Sequence, residues 1–301
     1  MVKVVNNYLD ANCITHSGTM HADEVFSTAF LDLFKGDIRV FRTSSVDSLK
    51  ISDDVLVYDV GRGKFDHHQN DALKREDGIT YCSFGLLWKE FGKQFLKEYG
   101  IELVDEVWSA IDKDLVEEID ADDNGVFAKV DASYKVKTIP GVIKLFNPSF
   151  DSGQIESEQF LKAVGIARSI LEEEILYING KCIAEKRIKN IISELNGDEK
   201  YLVLDSFLPY EETIISSDIC KNILFVAYPS NRGGYAIKTV PKSADDHSAR
   251  MLFPEEWAGL EGKTLEEVSN ISGLGFCHTG RFIVTCRDLD TVYDVLEFIC
   301  K

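Results

Sequence analysis

Residues 64–70, KFDHHQN, set Asp66, His67 and His68 side by side in a chain of 301 residues that carries six histidines in all. Two more histidines, His16 and His21, stand with Asp23 in THSGTMHADE. VLVYDVG carries Asp59 at the end of its strand pattern, and EEIDADDNG places Asp120, Asp122 and Asp123 just before a turn. Neutral imidazole and carboxylate are the donors that hold manganese, iron, zinc and similar divalent ions, and a carboxylate lying between two such ions can bridge them. Four histidines with three or more acids supply enough donors for two ions. Two ions about 3.5–4 Å apart can clamp a phosphoryl group and lower the pKa of a bound water until it attacks near neutral pH. Asp120 and Asp123 are three residues apart and share a face if a helix persists there, so spacing leaves either of them to complete the set.

A single histidine near a strand is more often a hydrogen-bonded packing residue than a ligand. Four of six histidines at two strand ends, with acids interleaved, is a different pattern. Asp66 reads as the partner that orients a neighbouring ring rather than as a ligand. Asp122 reads equally as solvated helix-end charge, and Cys277, beside His278 but without a base and orienter, as a buried thiol.

Ligands in open parallel sheets gather at the carboxyl ends of strands, which is where these residues must be delivered. NCIT, IRVFRT and DVLVYDVG read as strands, and ADEVFSTAFLDLF and SFGLLWKEFGKQFLKEYG as amphipathic helices. That alternation predicts an α/β domain with a parallel sheet covered on both faces. A further helix is expected over LVDEVWSAIDKDLVEEIDA, stopped by Asn124-Gly125. Residues 126–153 lose periodicity, carry Pro140 and Pro148, and read as a functional loop or a domain connection. Residues 155–195 read as one long helix, or two if Gly180 breaks it. YLVLD, ILFVAYP, YAIKTVP and RFIVTC then read as strands, and TVYDVLEFIC as a terminal helix. The expected organisation is an N-terminal α/β domain over 1–150, a helical bridge over 151–199 and a smaller C-terminal α/β domain over 200–301.

The bulk properties bound the function. Hydrophobic residues make up 45% and charged residues 28%. No apolar run approaches the roughly 20 residues of a membrane helix. The N-terminus lacks signal or transit character, which predicts a cytoplasmic protein with no membrane partner. Seven dispersed cysteines without a C-x-x-C pair suit reduced thiols rather than a disulfide framework or zinc ribbon. A net charge of -18 opposes extensive non-specific binding to nucleic acid, while leaving open a small phosphorylated substrate held on metal ions.

THSGTMHADEVFS, VYDVGRGKFDHHQ, YCSFGLLWKEFG, EEIDADDNG, RMLFPEEWAGL and GFCHTGRFI follow one another over nearly the full chain. In this order they resemble the DHH phosphoesterase superfamily. The resemblance is closest to the metal-dependent protein hydrolase family named for a melanocyte-proliferating gene, also called uncharacterised protein family 0160. It implies a DHH-like N-terminal domain in which His16 and His21 hold one ion and Asp59 bridges. Asp23, His67 and either Asp120 or Asp123 would hold the second. His68 would face the substrate phosphate as charge stabiliser or proton donor, making it, with Asp59, the catalytic pair. Most of the superfamily has an aspartate where this chain has His21, which leaves the site less negative.

In the second domain the resemblance implies substrate binding by Arg250 and His278, and Arg232 stands in the nearby basic stretch YPSNRGGYAIKTVPK. Together these features predict a two-metal phosphodiesterase with manganese as the expected ion, and the resemblance implies action of exonuclease type. Its partner would be short single-stranded RNA, an oligonucleotide or a small phosphorylated molecule, and the long helical bridge suggests a homodimer. The alternatives are a phosphomonoesterase or pyrophosphatase on a small metabolite, and a non-catalytic metal-dependent nucleotide-binding protein.

Overall fold

The computed structural model describes residues 1–301 and has an α/β fold. The chain divides into two compact units, Met1–Gly180 and Lys181–Lys301.

The first unit is built on a four-stranded parallel sheet, β1 (Lys3–Val4), β2 (Cys13–His16), β3 (Arg39–Thr43) and β4 (Leu56–Val57), in the order β1-β3-β2-β4. β2 is flanked on both sides, pairing from Cys13 with Val40 to His16 with Thr43, and on its other edge Cys13 with Leu56. Its apolar residues Cys13 and Ile14 are buried, as parallel strands require.

Helix α1 (Ala22–Lys35) follows β2 directly, and every residue from Ala22 to Asp32 is buried. Its Phe26 and Phe30 meet Phe84, Trp88 and Phe95 of α2 (Ser83–Glu98) at centroid separations of 5.3 to 6.4 Å. This aromatic layer locks the two helices together and so fixes where their N-termini meet.

The strand expected over DVLVYDVG is only Leu56–Val57 in the fold. Asp59 takes a left-handed conformation, φ 56°, which ends the extended chain, and Gly61 follows at φ 87° with Val46 pressed against it. A Cβ at Gly61 would lie 2.4 Å from Val46 Cγ2.

Helix α3 (Val104–Ile111) runs through a single π-helical turn, Asp112–Val116, into α4 (Glu117–Asp123). The helix stops where expected, with Asn124 at its end and Gly125 at φ 73°. Within 126–153 lies one short helix, α5 (Ile139–Ile143), begun by the Thr138 side chain accepting from Gly141 N and by proline in its first turn.

Helix α6 (Glu156–Ile192) is unbroken over 37 residues. Gly180 does not interrupt it, since a helical glycine costs only about 1 kcal/mol relative to alanine. The division between the units falls inside this helix.

The second unit carries β5 (Tyr201–Val203), α7 (Glu211–Ser216), β6 (Phe225–Pro229), β7 (Tyr235–Thr239), α8 (Gly262–Ser269), β8 (Leu274–Cys277), β9 (Ile283–Cys286) and α9 (Leu289–Ile299). Its five strands run in the order β5-β6-β7-β9-β8, parallel only between β5 and β6. Phe225, Phe253, Trp257 and Leu296 anchor one core cluster, and Ile188 and Ile192 of α6 pack with Leu202 and Ile214 in another.

Candidate metal centre

The site lies where β2 and β4 end and where α1, α2 and α4 come together. His16 is the last residue of β2, His21 is the N-cap of α1, and Asp23 is the second residue of that helix. The intervening turn is held by residues distant in sequence. Gly18, at φ 98°, donates its N–H to Glu156 Oε1, Met20 N donates to Asn147 Oδ1, and Asn147 Nδ2 donates back to Met20 O. The segment after α5 thus fastens the first histidine turn.

Three sets of donor atoms, each within 4.8 Å, are present: His16, His21 and Glu24; and two that share His67, namely Asp23, His67 and Asp123, and Asp59, Asp66, His67 and His68. Asp59 joins the first two sets through separate oxygens, Oδ2 lying 3.1 Å from His16 Nε2 and Oδ1 3.8 Å from His67 Nδ1. His67 Nε2 is 2.9 Å from Asp123 Oδ2, and its Nδ1 is 3.7 Å from Asp23 Oδ2. The other Asp123 oxygen faces His21 Nδ1 at 3.7 Å. Asp23 accepts from Ser83 N at 3.1 Å and from Phe84 N at 2.7 Å, so the first turn of α2 fixes its carboxylate.

Asp120 stands apart from these sets. It is fully buried, accepts from Arg75 Nε at 2.7 Å and from Cys82 N at 2.9 Å, and so joins α4 to the N-terminus of α2 and to the segment after His68. Of the two acids the spacing left open, Asp123 reaches the histidines and Asp120 reaches Arg75.

Asp66 is hydrogen-bonded to His68 rather than to His67. Its Oδ1 accepts from His68 Nδ1 at 2.6 Å and from His68 N at 3.1 Å, and its Oδ2 from Arg62 N at 2.6 Å. His68 stacks on His67 at 4.3 Å between ring centroids. Burial works to raise the Asp66 pKa, but the His68 ring and the two amides outweigh it and hold the carboxylate below its usual range.

The electrostatics of the cluster describe a site short of positive charge. Burial pushes Asp23 well above the usual carboxylate range, and Asp59 and Asp123 push it further. Burial also raises Glu24, against the pull of His16. Burial opposes a charge on His16, yet the carboxylates of Asp59 and Glu24 overcome it and drive the imidazole up to about 11. His67 is raised in the same way, chiefly by Asp123. Two buried imidazole nitrogens, His16 Nε2 and His67 Nδ1, have no hydrogen-bond partner although each faces two carboxylates. Nitrogen and carboxylate donors in this arrangement fit divalent cations, which would neutralise the acids and use the orphaned nitrogens at once.

The second unit separates the cationic residues proposed for substrate. Thr239 N bonds to Phe282 O and Arg250 N to Val240 O, which sets Arg250 and the 278–282 turn at one end of the sheet. Arg232 lies in the turn between β6 and β7, at the other end of β7. Arg250 Nη1 donates to Cys220 O and Ile223 O, an anchoring role for that turn. His278 Nδ1 accepts from Gly280 N at 2.9 Å, and its ring packs on Phe282 at 4.4 Å. Burial pushes the Cys277 thiol up to about 11, in keeping with an inert side chain rather than a nucleophile.

Two residues escaped the sequence reading. Glu24 was hidden by its position in the first helical turn, where a glutamate is ordinary, and Arg75 lies in KRED, which reads as solvated charge. Only the fold brings each against an acid or imidazole of the site.

A model of the Uncharacterised protein family (UPF0160) matches residues 12–297. The human MYG1 exonuclease is 26% identical over 306 residues, covering 89% of this chain and 80% of that protein. The MYG1 protein of Saccharomyces cerevisiae is 26% identical over 337 residues, covering 97% and 96%, and that of Chlamydia trachomatis 27% over 300 residues, covering 95% and 96%. No solved structure matches the chain.

Proposed function

Given that the chain belongs to the Uncharacterised protein family (UPF0160), we propose that it is a two-metal phosphodiesterase of exonuclease type, acting on RNA, short oligonucleotides or small nucleotides with manganese as its ion. The observation that carries this reading is the pair of buried, unpartnered imidazole nitrogens aimed among buried carboxylates. The exonuclease names of the mammalian relatives support the reaction class.

In this reading His16, His21 and Asp59 would hold one ion, and Asp23, Asp59, His67 and Asp123 the other. Bound divalent ions supply a Lewis acid for the phosphoryl oxygens and acidify an attacking water. Asp59, with one oxygen toward His16 and the other toward His67, would contribute to holding both ions. The amides of Ser83 and Phe84 hold Asp23 in register. His68 keeps its Nδ1 hydrogen on Asp66, because a carboxylate only accepts, and this leaves Nε2 for the substrate phosphate. In its imidazolium form the ring also carries a hydrogen on Nε2, and its part is then to donate that proton or a hydrogen bond as charge develops on the phosphoryl oxygens. In the second unit, Arg250 and His278 are the residues proposed to bind a substrate phosphate.

The test is hydrolysis of bis-p-nitrophenyl phosphate and a short single-stranded RNA, with manganese, magnesium, zinc or EDTA, for the native protein and His67→Ala. Metal-dependent cleavage of both substrates, lost in the variant, is the expected result. Cleavage of neither by a protein that still binds two ions would refute the phosphodiesterase reading.

A further inference from the structure

Glu24 has no part in the ligand set given above, yet it is fully buried and its two oxygens do different things. Oε2 accepts from His21 N at 2.9 Å, closing a capping box on the first turn of α1. That bond explains a glutamate or glutamine at this position but not an aimed second oxygen. Oε1 lies 3.3 Å from His16 Nε2 and 3.4 Å from Arg42 Nη2.

The geometry around His16 sharpens the point. Its Nδ1 is 3.2 Å from Ser17 O, a carbonyl that can only accept, so that nitrogen bears the ring hydrogen. Its Nε2 faces Glu24 Oε1 at 3.3 Å and Asp59 Oδ2 at 3.1 Å. Three atoms able to ligate an ion therefore lie side by side. Donors each about 2.1 Å from one ion stand roughly 3.0–3.5 Å from their neighbours in octahedral or tetrahedral coordination. Both measured separations fall in that range.

Arg42 holds the arrangement from behind. Its guanidinium is 5% exposed and lies 4.3 Å above the Phe160 ring, and it reaches Glu156 Oε1 at 2.7 Å. It also donates from Nε to His16 O and from Nη2 to Gly18 O. The histidine turn and the glutamate are therefore fixed relative to each other by one buried cation.

We propose that Glu24 is an anionic ligand of the ion held by His16 and His21, and that its capping bond serves to aim the second oxygen at that ion. The proposal rests on the two-metal reading above. A carboxylate beside two neutral imidazoles supplies charge that the histidines do not, and the mixed N and O set suits manganese, iron or zinc better than magnesium.

The experiment is a calorimetric titration of manganese into the metal-stripped full-length chain, comparing the native protein with Glu24→Gln and recording melting temperatures without metal. Glutamine retains an acceptor for His21 N and loses the charge. The native protein is expected to bind two ions. Glu24→Gln is expected to bind one ion with unchanged affinity and the other about a hundredfold more weakly, with no fall in metal-free melting temperature. Native affinity for both ions in Glu24→Gln would overturn the proposal while leaving the two-metal reading intact. A native protein that takes up no manganese would overturn both. A manganese-loaded crystal of the native protein gives a measurement independent of how the variant folds. Glu24 Oε1 within about 2.4 Å of an ion supports the assignment, and a separation beyond about 3.5 Å overturns it.

Discussion

His67 and His68 are adjacent, yet their side chains are 7% and 60% exposed, and this difference separates their roles. His67 is enclosed by acids, so removing it deletes a donor from the centre of the site. His68 is tied at one nitrogen to Asp66 and open at the other, which is the disposition of a residue that touches substrate. His68→Ala is therefore expected to lower kcat by about 10²- to 10⁴-fold while elemental analysis still finds the native metal content. A parallel loss of metal would move His68 into the ligand set. Asp66→Asn replaces the acceptor that fixes the His68 ring and is expected to give a smaller fall in kcat, again at constant metal content. The donor types at these positions were legible in the sequence because imidazole and carboxylate at strand ends have few other uses in such density. The choice between Asp120 and Asp123 was not, since residues three apart on a helix share a face and only tertiary packing decides which meets Arg75.

At the scale of elements, the site depends on how three helices are held. Arg75 donates to Asp112 at 2.6 and 3.0 Å and to Asp120 at 2.7 Å, and it lies over Tyr81 at 4.5 Å. Asp112 opens the π-helical turn, an irregularity that periodicity cannot predict because the expected helix simply continues through it. Arg75→Met leaves Asp120 buried without its cation and is expected to cost about 3–5 kcal/mol in urea unfolding. Gly85 sits against the same acid, and a Cβ there would fall 2.3 and 2.6 Å from the Asp120 oxygens. Gly85→Ala is expected to destabilise by about 1–3 kcal/mol, seen as a lower urea midpoint. The short β4 was overread for a related reason. Leu-Val-Tyr-Asp-Val has strand composition, and nothing in it announces that Asp59 turns left-handed. Conversely, β8 was not among the expected strands, since Gly275 interrupts its pattern and only pairing with β9 secures it. In the second unit, Asp288 caps α9 through Thr291 N and Thr291 Oγ1, bonds that with Arg287 hold its carboxyl down to about 2. A carboxylate held below its unfolded value stabilises the fold above about pH 4 and loses that effect as pH falls through about 2. The melting-temperature gap between the native protein and Asp288→Ala, a few degrees at neutral pH, is accordingly expected to close toward pH 2.

For the whole molecule, the alternation of strands and helices disclosed the α/β class, while the unbroken α6 had to be seen, since a glycine at its middle permits either outcome. No helix is long and apolar enough to cross a membrane. A chain of net charge -18 gathers buried carboxylates at one centre, so divalent ions that bind the folded state alone should raise its melting temperature, and EDTA should lower it to the metal-free value. In the reading proposed above, two divalent ions at the His16–Asp59–His67 centre would make the chain a phosphodiesterase. The most direct test of that reading is the rate of bis-p-nitrophenyl phosphate hydrolysis by metal-stripped protein as manganese is returned stepwise. Negligible cleavage is expected without metal, followed by a rise that levels off at two equivalents per chain. Full activity in EDTA, or none with two ions bound, would contradict it.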